Sequence, residues 1–233
     1  YFSDVKLPIT NNTTETMAIL EELGIDEKHN RKTLNELTQQ EKGKLFQKLV
    51  EMISKAVPGK YVQYIPQLII GDSYTFLKED ENSFLRDGSE FSTAMNACGR
   101  NHEEKIAMEV LKGDRFVALD ELEAVSKTHR YNLATSIARV AESDETNIIE
   151  MENLQYFDGD GIKPEIVGTI TGMILGYCNW KKPIIGFTQT DSDVLKISLR
   201  CSRLLSYDGI HFGNIIREIA SNVGGSGGGH AMA

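Results

Sequence analysis

The spacing of apolar residues changes character near residue 148, from helical periods to short runs that alternate with helices. Met17, Leu20 and Leu23 predict a helix over 13–23, with Gly24 placed to end it. Thr38 to Glu41 has the spacing of a capping box, and the stripe Leu45, Leu49, Met52 and Ile53 behind it predicts a second helix stopping near Pro58-Gly59. Neither stripe carries a polar residue, so both helices read as packing elements. The run Val62, Ile65, Leu68, Ile69, Ile70, then Tyr74, Phe76 and Leu77, predicts two short strands around the turn Gly71-Asp72-Ser73. A helical pattern follows from Phe84, ends at Asn96 to Gly99 and delivers Arg100 at its exit. Two more helices are expected, His102 to Lys112 closed by Gly113, and about Leu119 to Glu142, long enough to connect two lobes.

Beyond 148 the pattern predicts strands at Ile148–Met151 and Leu154–Phe157, a turn at Asp158–Gly161, and a helix from Pro164 to Tyr177. Gly168 and Gly172, four apart, give that helix a face that permits close packing. Strands at Ile184–Phe187 and Val194–Arg200 and a final helix from Phe212 to Val223 complete the series. The fold class is therefore α/β: a C-terminal α/β domain with a mixed sheet, preceded by a largely helical connecting region. The expected organisation is a helical segment over 1–60, a middle region with short strands and the long connecting helix over 61–142, and the α/β domain over 143–233.

Composition narrows the function. With 233 residues, 40% hydrophobic and 25% charged, the chain can bury one large or two small cores. Cys98, Cys178 and Cys201 are widely spaced and lack a CxxC pair, which argues for a reducing compartment and against a disulfide framework or a cysteine zinc site. No long apolar run or charged-then-apolar leader is seen, so a soluble, cytoplasmic protein with no membrane partner is expected. The first residue is Tyr1, and the chain is expected to lie inside a longer polypeptide. A net charge of −9 and a pI near 5.1 count against a general nucleic-acid coat. They leave room for a narrow basic groove, for which Lys181, Lys182, Lys196, Arg200 and Arg203 are the local candidates.

Candidate chemistry is sparse. Asn96 and Arg100 flank Gly99, and an amide with a planar guanidinium beside a tight turn can hold a phosphate. Asp158-Gly-Asp160-Gly lacks the further acidic ligands of a calcium loop and reads as a turn. His29, His102, His129 and His211 form no pair at metal-ligand spacing and read as surface or satisfied histidines. There is no P-loop, no G-x-G-x-x-G and no G-x-S-x-G elbow. Gly224-Gly225-Ser226-Gly227-Gly228-Gly229-His230 suits either a backbone brought close to an anion or a flexible tail.

Leu85-Arg86-Asp87 to Phe91-Ser92-Thr93, then Asn96-Ala97-Cys98-Gly99-Arg100, Ile166-Val167-Gly168-Thr169, Ile197-Ser198-Leu199-Arg200 and Gly227-Gly228-Gly229-His230 form an ordered series. From about Leu85 to Ala233 this series resembles the C-terminal part of archaeal RecJ-like proteins of the DHH phosphoesterase superfamily. The resemblance implies half of a two-lobe, single-strand-specific exonuclease that removes nucleotides from an end. Its other lobe would hold two manganese or magnesium ions through Asp-rich motifs and a DHH triplet, which are absent here, so no cofactor is expected on this chain. Carried over, Asn96 and Arg100 match the segment near the terminal phosphate, and Ser198 and Arg200 the strand whose arginine clamps it. Gly227, Gly228, Gly229 and His230 match the segment that closes over the terminal nucleotide. The usual Ala-Ala-Gly after that motif is cut short at Ala233.

Two-metal phosphoryl transfer needs clustered carboxylates and histidines, so the chain alone is expected to bind a single-stranded nucleic-acid end and hydrolyse nothing. No catalytic or metal residue is assigned within it. The alternative is a catalytically inactive DNA- or protein-binding scaffold of a replication or repair complex, with replication proteins as partners. The acidic charge favours the scaffold and the Arg and Gly-rich pieces favour the nuclease half.

Overall fold

The computed structural model describes residues 5–25, 32–142, 147–190 and 194–232. Asn12 opens the first helix, its side-chain oxygen accepting the Glu15 amide at 3.1 Å; α1 then runs Thr13–Glu22, and Gly24 turns the chain at a φ of 68°. Thr38 opens α2 (Gln39–Ala56) with the predicted capping box complete, the Glu41 carboxylate accepting the Thr38 amide at 2.7 Å. A salt-bridged Lys32 and the two Thr38 donors hold the Glu41 carboxyl at about 2, well below its ordinary value.

The two strands expected between Tyr61 and Leu77 are not formed. Gly59–Tyr64 is a 3₁₀ turn, α3 spans Ile65–Ile69, and Thr75 makes an isolated antiparallel bridge with Asp87. Pro66 stands in the first turn of α3, where its fixed φ suits a helix and its missing N–H is not needed. Tyr61 and Ile65 share a helical face and bury it against Ile53 of α2 and Val57 just beyond its end. In so dense an apolar run this burial decides between strand and helix.

The middle of the chain is a three-helix unit: α4 (Gly88–Arg100), α5 (Glu104–Lys112) and α6 (Val117–Ile137), with α5 closed at Gly113 by a φ of 111°. Leu85, Ala94, Cys98, Val110, Ala118 and Leu122 form its core. The far end of α6 leaves that core and supplies Leu133, with Val140 just beyond it, to the C-terminal domain. That domain contains β1 (Ile149–Glu150), β2 (Gln155–Asp158), α7 (Pro164–Met173), β3 (Ile184–Gln189), β4 (Leu195–Arg200), α8 (Arg203–Tyr207) and α9 (Phe212–Asn222). The strands lie in the order β1-β2-β3-β4, and only the β2–β3 pair is parallel, so the sheet is mixed as expected. The short helix α8 had no signal, since five residues are too few to display a period.

Each sheet face has its own helix. Ile184, Gly186 and Thr188 of β3 look toward α7, where Phe157, Val167, Ile170 and Ile184 share one core. Leu199 of β4 and the intervening Ile185 look the other way, toward Phe212 and Ile216 of α9. Gly186 allows α7 to settle on the sheet: a Cβ there would lie 2.6 Å from Phe157 Cε1, with Thr171 pressing from the helix side. The buried Gln155 uses its whole amide, donating to the carbonyls of Asn179 and Lys182 and accepting from the Asn179 amide at 2.8 Å. It thereby fixes the connection leading into β3.

The N-terminal helices dock on this domain through α8. Leu204 is fully buried among Val5, Ile53, Val57, Tyr61 and Ile65, and Tyr207 stacks on Tyr64 with ring centroids 4.2 Å apart. Asp208 accepts from Lys60 Nζ at 2.8 Å and from the Tyr61 hydroxyl. Replacing Gly186 with Ala should cost about 1–3 kcal/mol, because neither the Phe157 ring nor α7 can withdraw without loosening the core. Urea unfolding that showed Gly186→Ala as stable as the parent protein would contradict this packing.

Candidate anion-binding site

Two elements bring cationic and hydroxyl groups to one side of α7. From α4, Arg100 donates through Nη1 to the Glu165 carbonyl in the first turn of α7 at 2.8 Å. From β4, Ser198 and Arg200 lie beside Gly168, one turn further along: a Cβ on Gly168 would be 3.5 Å from Ser198 Oγ and 3.7 Å from Arg200 Nη2. Glu165 and Gly168 are three residues apart and share a helical face. The small residue at 168 lets the arginine strand lie close to the helix.

The two guanidinium groups lie within electrostatic reach of each other. Arg200 is half-buried, and its affinity for its proton is lowered first by burial and then by the charge of Arg100. Like charges held together in partly dry surroundings raise each other's free energy, and an oxyanion that accepts from both relieves that cost. Arg100 is exposed, and so is Asn96 one turn before it, which leaves this end of the cluster open to a ligand.

The turn after α4 differs from the expectation. Asn96 and Gly99 are not part of a tight turn; α4 continues through them to Arg100 because Ala94, Ala97 and Cys98 bury its other face. The chain turns at Asn101 and His102 instead. Asn101 donates its amide side chain to the Ala97 carbonyl at 2.7 Å, and His102 takes a left-handed conformation at a φ of 59°. His102 Nε2 then stands 3.8 Å from the Glu165 carboxylate, so the turn is tied to the same first turn of α7 as Arg100.

The glycine segment is placed elsewhere. After α9 it doubles back, and the carbonyls of His230 and Ala231 accept the Gly213 and Phe212 amides at 3.0 and 2.9 Å. Those amides belong to the first turn of α9 and have no partner within the helix. Gly213 permits the approach, since a Cβ there would lie 2.6 Å from the His230 carbonyl oxygen. Gly227 packs against Ile216 and Ala220, and Gly228 against Arg217. The structure thus unites Arg100, Ser198 and Arg200 on the α7 face of the sheet, and puts Gly227, Gly228, Gly229 and His230 with α9 on the opposite face. The segment is an ordered return rather than an extended tail.

Other candidates resolve as structure. Asp158 Oδ1 accepts the Asp160 amide at 2.9 Å in a turn completed by Gly161 at a φ of 71°. Lys182 pairs with Glu150 at 2.7 Å, Lys181 lies over the Trp180 ring, and Arg203 donates to the Gln67 carbonyl at 3.1 Å. The three cysteines are free and buried, and burial pushes the Cys178 thiol up to about 12. Among the described residues, no three His, Cys, Asp or Glu side chains are grouped to hold a metal ion, so they do not fit a phosphoesterase metal pair. No helix among them is long and apolar enough to cross a membrane. Sequence reasoning missed Asn101 and Gly213, while His129, read as a surface or satisfied histidine, is buried against the Asn101 amide. For His129 a signal existed: with Ser126 it interrupts the buried row Ala118, Leu122, Leu133 on α6.

Residues 151–233 match the DHHA1 domain. This domain is associated with DHH phosphoesterases and with nucleic-acid binding. The DHHA1 match includes Gly168, Ser198, Arg200 and the glycine segment, whereas Asn96 and Arg100 lie upstream of it. The chain is also 37% identical over 71 residues to the uncharacterized protein MJ1071 of Methanocaldococcus jannaschii, a match covering 30% of this chain and 22% of that relative. The return after α9 requires a glycine at 213, and Gly213→Ala should release the returning segment. Hydrogen exchange should show the Phe212 amide losing protection while amides within β3 keep theirs; unchanged protection at Phe212 would refute the close approach.

Proposed function

We propose that this chain is the end-gripping part of a RecJ-like, single-strand-specific exonuclease of the cytoplasm, and that it holds the terminal phosphate of a nucleic acid between Arg100, Ser198 and Arg200. The observation that carries the reading is the pair of arginines on one face of α7, one from the helical unit and one from the DHHA1 sheet. Guanidinium groups suit this task because each offers several donors in a plane and keeps its charge. Ser198 adds a hydroxyl that can donate to a phosphate oxygen. Asn96, exposed one turn from Arg100, would meet the adjoining nucleotide.

The proposed division of labour leaves hydrolysis to another lobe, where manganese or magnesium ions would activate the attacking water and stabilise the leaving oxygen. This chain's residues bind and orient the end. In this reading the phosphate contact does not use Gly227, Gly228, Gly229 or His230, which serve α9 and its surroundings. A second reading, an inactive DNA- or protein-binding scaffold in a replication or repair complex, is supported by the net charge of −9. Its partners would be other replication proteins rather than a phosphorylated end.

Two measurements separate these readings. Arg200→Ala should weaken binding of a terminally phosphorylated single strand by about 1.5–3 kcal/mol, with little effect on the same strand lacking its phosphate. Equal losses for both strands, or no binding by the parent protein, would favour the scaffold. Incubated with single-stranded DNA or RNA and manganese, the chain by itself should release no nucleotides, and clear turnover would overturn the assignment of catalysis to another lobe.

A further inference from the structure

One buried titratable group beside the turn that follows Arg100 has no role in the proposed grip. His129 is 5% exposed and sits on the inward row of α6 with Leu122, Ser126 and Leu133. Its tautomer follows from its neighbour. Asn101 Nδ2 donates to the Ala97 carbonyl at 2.7 Å, and since a carbonyl only accepts, the amide nitrogen is the atom placed there. The same nitrogen lies 3.3 Å from His129 Nδ1, so its second hydrogen faces Nδ1 as acceptor and the ring proton resides on Nε2. Burial, and after it the charge of Arg100, favour this neutral form.

The charges on the surrounding elements sharpen the point. From α4, Arg100 acts on both His129 and Arg200. From α7, the Glu165 carboxylate is turned to His102. At the start of α5, Glu103 and Glu104 act on Cys98. Through Asn101, which follows Arg100 directly in the chain and meets Nδ1 at 3.3 Å, the imidazole borders the Arg100 end of the cluster. A proton added to its Nδ1 would oppose the Asn101 amide hydrogen and place a further positive charge beside Arg100.

We infer that His129 is a specificity-determining member of the anion site: it takes up a proton when a doubly charged phosphate settles beside Arg100, and so makes the site prefer a terminal monoester to an internal phosphodiester. The inference rests on the end-binding reading above. A dianion reverses this balance, because its attraction for an added positive charge in surroundings with little water outweighs one hydrogen bond. Protonation gives up only the longer Asn101–Nδ1 contact, since the Asn101 nitrogen keeps its bond to the Ala97 carbonyl. A singly charged diester supplies half the attraction and leaves the ring neutral. Discrimination between an end and the interior of a strand then comes from a charge that appears only when the end is present.

The test is a proton NMR titration of the histidine ring signals, with that of His129 assigned from its loss in His129→Gln. Sulfate is the probe, because it stays doubly charged throughout this range; dimethyl phosphate is its singly charged counterpart. Saturating sulfate should raise the His129 midpoint by about one pH unit, equivalent to roughly tenfold tighter sulfate binding in acid than in alkali. Dimethyl phosphate should leave the midpoint in place. His129→Gln keeps an acceptor for Asn101 and should bind sulfate with an affinity that no longer depends on pH. If sulfate shifts the Arg100 and Arg200 side-chain signals but leaves the His129 midpoint unchanged, the proton uptake is wrong while the anion site stands. Persistence of the pH dependence in His129→Gln would overturn the inference equally. If neither sulfate nor a phosphorylated strand binds at any pH, the end-binding reading falls and takes this inference with it.

Discussion

Antiparallel pairing of β3 with β4, from Ile184 opposite Arg200 to Gln189 opposite Leu195, is the constraint on which the remaining architecture depends. Side chains alternate along a strand, so this register assigns each residue of β4 to one of two unlike environments. Ser198 and Arg200 go to the α7 face, and Leu199 joins Phe212 and Ile216 under α9. A slip by one residue would bury the guanidinium in the α9 core and expose Leu199 beside Gly168. Burial of the apolar half of the strand therefore fixes where its cationic half stands.

The parts of the fold legible in the sequence were those decided locally. The Thr38–Glu41 box, the left-handed stop at Gly113 and Pro164 at the start of α7 each act within a turn of chain. Strands β2 and β3 were legible because short apolar runs bounded by turns leave few other options. The region 61–77 was not, since Tyr61 and Ile65 owe their helical state to the face of α2 they cover. Gly99 looked like a stop but is carried through as helix by its buried neighbours Ala97 and Cys98. Of the site, residue types could be read but not their meeting. Arg100 and Arg200 come together through α7, a third element, and the placement of the glycine segment follows from amides at the start of α9.

The charge distribution reconciles an acidic chain with an anion site. Much of the surface charge is spent in pairs such as Lys48–Glu22, Arg115–Glu79, Arg130–Glu90 and Lys182–Glu150. Exposed pairs such as Arg130–Glu90 contribute little to stability, but all of these pairs cancel their own field at a distance. Arg100 directs its donor to a backbone carbonyl rather than to the adjacent carboxylate, so that interaction leaves its charge uncancelled. The attraction such a cluster exerts is short-ranged and set by geometry, unlike the broad basic surface of a nucleic-acid coat.

The docking of α8 has a mechanical meaning. Arg200 is followed after Cys201, Ser202 and Arg203 by Leu204, which is gripped by α2 and α3, while Ser202 donates to the Trp180 carbonyl at 2.9 Å. With so little chain between them, the end of β4 and the N-terminal helices are coupled in series, like a lever and its mount. The stiffness with which Arg200 is held is thus partly a property of residues more than a hundred positions earlier, and the N-terminal helices belong to the working geometry of the sheet.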